Sequence, residues 1–296
     1  MSRVGAASAA AAHPWQTPAM VRRFSQVDVF TTEPYRGNPV AVVHDAAGID
    51  DMAMLRFANW TNLSETTYLL PPSSPAADYR LRIFTPVSEL GFAGHPTLGS
   101  CHAWLEAGGR PRDPELIVQE CGSGLIRIRR SGDGILAFAE PPLIREGPVD
   151  DPTLDHIADV LQLPPTAIVA SQWVDNGPGW VAVLLSSAAE VFAIEPGFVD
   201  LDLGVIGPHP AGSDIAFEVR AFFPLNGATV EDPVTGSLNA SLAGWLIRSG
   251  RATAPYVAAQ GTVMGRAGRV HVTQDPDGTI WVGGGTITCI RGEIDI

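Results

Sequence analysis

Hydrophobic and polar positions alternate along much of the chain. VRRFSQVDVF (21–30) and NPVAVVHDA (38–46) read as strands joined by a turn around Glu33–Gly37. DMAMLRFANWTN (51–62) shifts to helical spacing, with Met54, Leu55, Phe57 and Ala58 apolar. TTYLLPP and YRLRIFTP are strands again, and Leu81 and Ile83 alternate with Arg80 and Arg82. A short helix of small residues follows His95-Pro96 and ends near Gly108-Gly109. LIVQECG, GLIRIRR and ILAFAEPPL then read as strands, the last two joined by a hairpin turn at Ser131-Gly132-Asp133-Gly134.

A second series opens with DDPTLDHIADVLQL, an amphipathic helix with an early proline and Leu154, Ile157, Val160 and Leu161 on one face. TAIVASQWV and WVAVLLS flank the turn Asp175–Gly179. DIAFEVRAFFP is a strand, and TGSLNASLAGWLIRSG is a helix with Gly250 at its expected C-terminal cap. RVHVTQ and TIWVGG form a hairpin, and TITCIRGEI is the last strand. Strand-rich runs without regular βαβ alternation predict an α+β fold.

The two series resemble each other. GHPTLGSCHAWL (94–105) lies over EDPVTGSLNASL (231–242) without a gap, His95 over Asp232, and RIFTP (82–86) matches RAFFP (220–224). The pattern therefore predicts two pseudo-symmetric halves, over 21–136 and 137–283, with a site where they meet. The Ala-rich segment 1–20 reads as a floppy extension, broken by His13-Pro14 and too poor in leucine for a signal peptide.

Composition narrows the function. No run approaches the ~18 apolar residues of a membrane span. A net charge of −13 argues against nucleic acid, whose phosphates need clustered cations. Three scattered cysteines, Cys101, Cys121 and Cys289, point to a reducing cytoplasm with neither a disulfide framework nor CxxC metal spacing. All 19 basic residues are arginine. With no lysine, a pyridoxal-type Schiff base and a P-loop are both excluded. No metal site is expected: His95, Cys101 and His102 fit no familiar ligand spacing.

Asp232-Pro233 has the form of a helix start, since Asp caps helices and Pro suits their first turn. His95-Pro96 does not fit that reading, because histidine is not a favoured cap. Gly94 and Gly236 stand beside these helix starts, where unpaired N–H groups and the helix dipole attract anions and glycine lets a ligand approach the backbone. Two such termini with a proton-carrying side chain at each would suit general acid–base catalysis on a carboxylate. Glu65, in NLSETTYLL, reads by itself as a solvated carboxylate.

Taken together, DVFTTEPYRGNPVAVV (28–43), NLSET (62–66), RIFTPVSELGFAGHPTLGS (82–100), AFFPLNGATVEDPVTGS (221–237) and Gly283-Gly284-Gly285 resemble the phenazine-biosynthesis PhzF-like isomerase family, related in fold to diaminopimelate epimerase. The resemblance spans about Val21 to Glu293. It implies two halves, each a curved, largely antiparallel sheet wrapped around a central helix, with the active site in the cleft between them. It also implies no cofactor, a homodimer, and a last strand (284–296) that returns to the N-terminal half. It assigns Glu65 as the proton carrier at the substrate carbon, with His95 and Asp232 as its partners. Asn38, Ser64, Gly94, Gly236 and Ser237 take substrate-binding positions. Related epimerases use two cysteines, and the matching places here hold Ala93 and Pro233, which disfavours a two-thiol racemase.

The expected function is thus a cofactor-independent isomerase that shifts a proton on a small carboxylate, similar to trans-2,3-dihydro-3-hydroxyanthranilate isomerase. An amino-acid-type epimerase with a carboxylate/His pair, and a non-catalytic small-molecule-binding protein, remain the alternatives.

Overall fold

The structure, a computed structural model, describes residues 20–132 and 134–296. The expected extension lies outside the described residues up to Ala19, as does Asp133 of the expected hairpin turn. The chain begins with β1 (Val21–Val29), β2 (Asn38–Val43), α1 (Asp51–Thr61), β3 (Glu65–Leu70) and β4 (Tyr79–Phe84). A two-residue β5 (Glu89–Leu90) leads to α2 (Gly94–Glu106), then β6 (Leu116–Cys121), β7 (Gly124–Arg130) and β8 (Leu136–Ala139). After β9 (Arg145–Gly147) and α3 (Asp151–Leu161) come β10 (Ala170–Asp175), β11 (Val181–Leu184), α4 (Ala188–Phe192) and β12 (Leu203–Pro208). The remainder is β13 (Phe217–Leu225), β14 (Ala228–Glu231), α5 (Gly236–Arg248), β15 (Tyr256–Gln260), β16 (Gly268–Gln274), β17 (Ile280–Gly284) and β18 (Thr286–Asp295).

Strand pairing follows one recipe twice. β1 and β2 are antiparallel, β2 and β3 parallel, β3 and β4 antiparallel, β4 and β6 parallel, and β6, β7 and β8 a meander. The same sequence of pairings runs from β10 through β11, β12, β13 and β15 to β16 and β17. Each parallel pair needs a crossover, and α1, α2, α4 and α5 supply them. β8 and β17 join the ladders antiparallel. β18 pairs with β1, and β9 takes the corresponding place beside β10.

α2 and α5 are buried along most of their length because their faces are small. A Cβ on Gly99 would fall 2.4 Å from Cγ1 of Val40, so β2 can lie directly on α2 only with glycine there. One core joins both halves, with Val27, Leu98, Ile128, Val219, Leu242 and Val282 in it. Leu98 and Leu242 are at most 1% exposed, and burying each stabilises the fold by about 2 kcal/mol. On the outer faces, α1 packs Met54 and Ala58 against Val43 and Tyr68, and α3 packs Ile157 and Leu161 against Val181 and Val183. Asp50 and Asp150 cap α1 and α3 with their carboxylates, and Gly250 ends α5 with φ +70° as expected. The first turn of TAIVASQWV is a 3-10 turn at Pro165–Ala167, so that strand starts only at Ala170.

Candidate active site

The N-terminus of α2 meets the N-terminus of α5. A Cβ on Gly94 would stand 2.9 Å from Cα of Gly236, and one on Gly236 would stand 2.9 Å from both Cα of Gly94 and the His95 nitrogen. Only two glycines allow this approach. Ala93 and Thr235 precede the helices, and neither side chain bonds to the first-turn N–H groups. Two uncapped, positively polarised helix ends thus converge on one point.

This geometry corrects the paired-cap expectation. His95 is inside the first turn of α2, whereas Asp232 lies in the loop ahead of Thr235 and does not cap α5. The ungapped match of His95 with Asp232 is out of step with the helices, whose true counterparts are Gly94 and Gly236. Asp232 does not cap because its carboxylate is engaged elsewhere. Asn38 donates Nδ2 to Oδ1 at 3.0 Å, and Thr235 donates its hydroxyl to Oδ2 at 2.6 Å. The Asn38 amide also donates to the Val234 carbonyl at 2.9 Å, which ties the first strand pair of one half to the loop of the other.

Glu65 opens β3 and projects to the same place. Its Oε2 is 3.1 Å from Nε2 of His95, with side chains 15% and 6% exposed. The two atoms are out of line for a hydrogen bond, so each is buried without a partner, as is Oδ1 of Asn38. A buried polar atom without a partner costs about 1–3 kcal/mol, and three of them gather around Glu65 and Asp232 as groups that a ligand could satisfy. Burial, and then the charge of Asp232, pushes the Glu65 carboxyl up to about 8. Burial pulls His95 down to about 3. Burial also raises Asp232, against the opposing hydrogen bonds from Thr235 and Asn38. At neutral pH the free site therefore holds a largely protonated Glu65 against a neutral imidazole.

Of the expected residues, Glu65, His95, Asp232, Asn38, Gly94 and Gly236 are brought together. Ser237 is in the first turn of α5, where Trp180 donates to its Oγ and Asn176 to its carbonyl, each at 3.0 Å. Ser64 is exposed beside Glu65 and has no buried role. The sequence reading missed Trp180, Asn176, Thr235 and Gln260. Only Thr235 carried a usable signal, a Thr directly before a helix. Cys101 is buried in the core, and His102 faces the hydroxyls of Thr286 and Thr288 at 3.0 Å. Among the described residues no cluster of three or more His, Cys, Asp or Glu side chains is placed to hold a metal ion, and no helix is long and apolar enough to cross a membrane.

Comparison with known proteins agrees with this picture. A family profile described as phenazine biosynthesis-like protein matches residues 27–292. Antisense-enhancing sequence 1 of Schizosaccharomyces pombe is 36% identical, over 91% of this chain and 97% of its own length. A trans-2,3-dihydro-3-hydroxyanthranilate isomerase of Pseudomonas aeruginosa is 32% identical, over 87% of this chain and 92% of its own. A solved structure of a PhzF-family protein of Bacillus anthracis superposes with a TM-score of 0.78 at 22% identity, covering 94% of this chain and all of that one. The abutting glycine helix ends, the Glu65–His95 contact and these matches make one assignment: the chain belongs to the phenazine biosynthesis-like, or PhzF, family of isomerases.

Proposed function

We propose that the protein is a cofactor-independent isomerase that moves a proton between two carbons of a small carboxylate, with trans-2,3-dihydro-3-hydroxyanthranilate as the first compound to try. The observation that carries this reading is the Glu65–His95 contact, which sets a buried carboxyl against a neutral imidazole beside two uncapped helix ends. The substrate carboxylate, or a developing enolate, is held by the first-turn N–H groups at Gly94 and Gly236. Ionised Glu65 takes the proton from carbon. With its carboxyl raised to about 8, it is a stronger base than an ordinary carboxylate and still returns the proton readily near neutral pH. His95, uncharged and 3.1 Å from Glu65, steadies the carboxyl between the two carbons.

The geometry favours isomerisation over two-base racemisation. Racemisation needs proton carriers on opposite faces of one carbon, and Glu65 and His95 touch each other on one side. The test is incubation of the protein with small cyclic and amino-acid carboxylates in D2O, read by mass spectrometry and NMR. Deuterium at a carbon other than the one that lost hydrogen is expected, with loss of turnover in Glu65→Gln. Full turnover in that variant, or label only at the original carbon, would overturn the assignment.

A further inference from the structure

Gln260, at the end of β15, is completely buried and uses its whole amide on the loop that carries Asp232. Its orientation follows from two backbone groups. Oε1 accepts from the Thr235 N–H at 3.0 Å, and Nε2 donates to the Asp232 carbonyl at 3.0 Å. A backbone N–H only donates and a carbonyl only accepts, so the amide cannot be flipped. Nε2 also donates to Oγ1 of Thr235 at 2.9 Å, and Oε1 also accepts from Nδ2 of Asn239 at 2.7 Å. Thr235 has one hydroxyl proton. Because its oxygen accepts from Gln260, that proton points to Oδ2 of Asp232, 2.6 Å away.

We propose that Gln260 is a positioning residue that acts through Thr235: it makes the threonine hydroxyl an obligatory donor to Asp232 and so holds this carboxylate as an anion beside Glu65. Asn38 does the same at the other oxygen, since its Nδ2 is fixed by the Val234 carbonyl. Asp232 thereby serves as a standing charge that keeps the proton on Glu65, and proton carriage falls to Glu65. The other half of the molecule lacks this device. Its buried glutamine, Gln119 of β6, donates to Thr97 within α2 and accepts from the Tyr79 hydroxyl, and reaches no carboxylate. This inference rests on the site assignment above and adds Gln260, for which no motif speaks.

The charged or titratable groups around Asp232 are Glu65, His95, Glu231 (paired with Arg220) and Arg266, which lies along the Gly37 loop and packs on Gly261 beside the Pro233 carbonyl. None of them supplies the donor that Thr235 supplies. The test is a 13C-carboxyl NMR titration of the free protein labelled at Asp and Glu, with the Glu65 and Asp232 signals assigned from Glu65→Gln and Asp232→Asn. In Thr235→Val the midpoint of Asp232 should rise by about one pH unit, the worth of a hydrogen bond to a charged group, while Glu65, which titrates with Asp232 already ionised, should keep its midpoint. Thr235→Ser should restore the Asp232 midpoint. Gln260→Met removes the donor to Oγ1, frees the hydroxyl proton to turn away from Asp232 and should raise the Asp232 midpoint in the same direction. The standing charge itself is read in Asp232→Asn, where the Glu65 midpoint should fall. A loss of structure would instead lower the Asp232 midpoint, because burial is what raises it. An unshifted Asp232 midpoint in folded Thr235→Val, or a Thr235→Ser variant that behaves like it, would overturn the proposal. Because no substrate is used, the result stands apart from whether the turnover assay succeeds.

Discussion

Replacing Glu65 with Gln should make the protein more stable at alkaline pH, although the residue lies in the cleft. The side chain is nearly isosteric, and its amide fits the same place beside Nε2 of His95. What is removed is a titration. Glu65 is 15% exposed at its side chain, and its carboxyl moves from 4.5 when unfolded to about 8 when folded. A group with a raised folded value favours the native state fully below the unfolded value, and that contribution is lost as pH rises through the folded value. From about pH 5 to pH 8 the unfolded chain releases a proton that the native protein keeps. Linkage over that window costs the wild type about 3 kcal/mol, and Glu65→Gln escapes this cost. Repulsion from the net charge of −13 is nearly common to both proteins and cancels in their difference. Urea unfolding of wild type and variant at both pH values measures it directly. Parallel pH profiles would refute the reasoning, because they would mean that Glu65 ionises in the folded protein as it does in the unfolded chain.

His95 gives the opposite sign in a different window. Its folded value is depressed to about 3, so stability is present above 6.5 and lost as pH falls from 6.5 towards 3; His95→Gln should flatten that acid limb by about 2 kcal/mol at pH 4.5, read by the same denaturation series. Gly94→Ala places a methyl 2.9 Å from backbone of the other helix, and should cost about 2 kcal/mol in thermal unfolding while spreading the two helix ends and reducing turnover. Asn38→Ala strips one donor from Asp232 and one from the Val234 carbonyl, an expected loss of about 2 kcal/mol in denaturant unfolding. On a confirmed substrate, kcat/KM should rise with pH to a midpoint near 8, the base limb of Glu65, and a profile flat across pH 6–9 would contradict that role.

Periodicity alone placed β1 to β4, α1, α2, α3, α5 and the terminal hairpin strands. It missed β12 and β15 for a physical reason. LGVIGP lies between β11 and β13 and is buried for nearly its whole length, and YVAAQ runs four apolar residues in succession, so neither shows the alternation of a half-solvated strand. At the site, Gly94 and Gly236 were legible because close backbone approach demands glycine. Glu65 was not: nothing in NLSETTYLL signals that β3 opens into a buried cleft, and only the family resemblance raised it. The His95/Asp232 alignment pointed, through a false symmetry, to two residues that lie beside Glu65. Gln260 was invisible, since what it does depends on backbone groups nearly thirty residues back along the chain.

The crossing of β18 onto β1 fixes when the molecule can be completed. Val21 pairs with Asp295 and Val29 with Thr286, so the outer edge of the first strand stays bare until nearly the whole chain has left the ribosome. Non-local pairing of this kind is slow and leaves a sticky edge exposed in the meantime. The same exchange staples the product. A nick at the Ser131–Ile135 turn would leave two fragments still bound through β1 with β18 and β7 with β8. Co-expressed as separate chains, residues 20–132 and 134–296 are expected to find each other and rebuild the cleft.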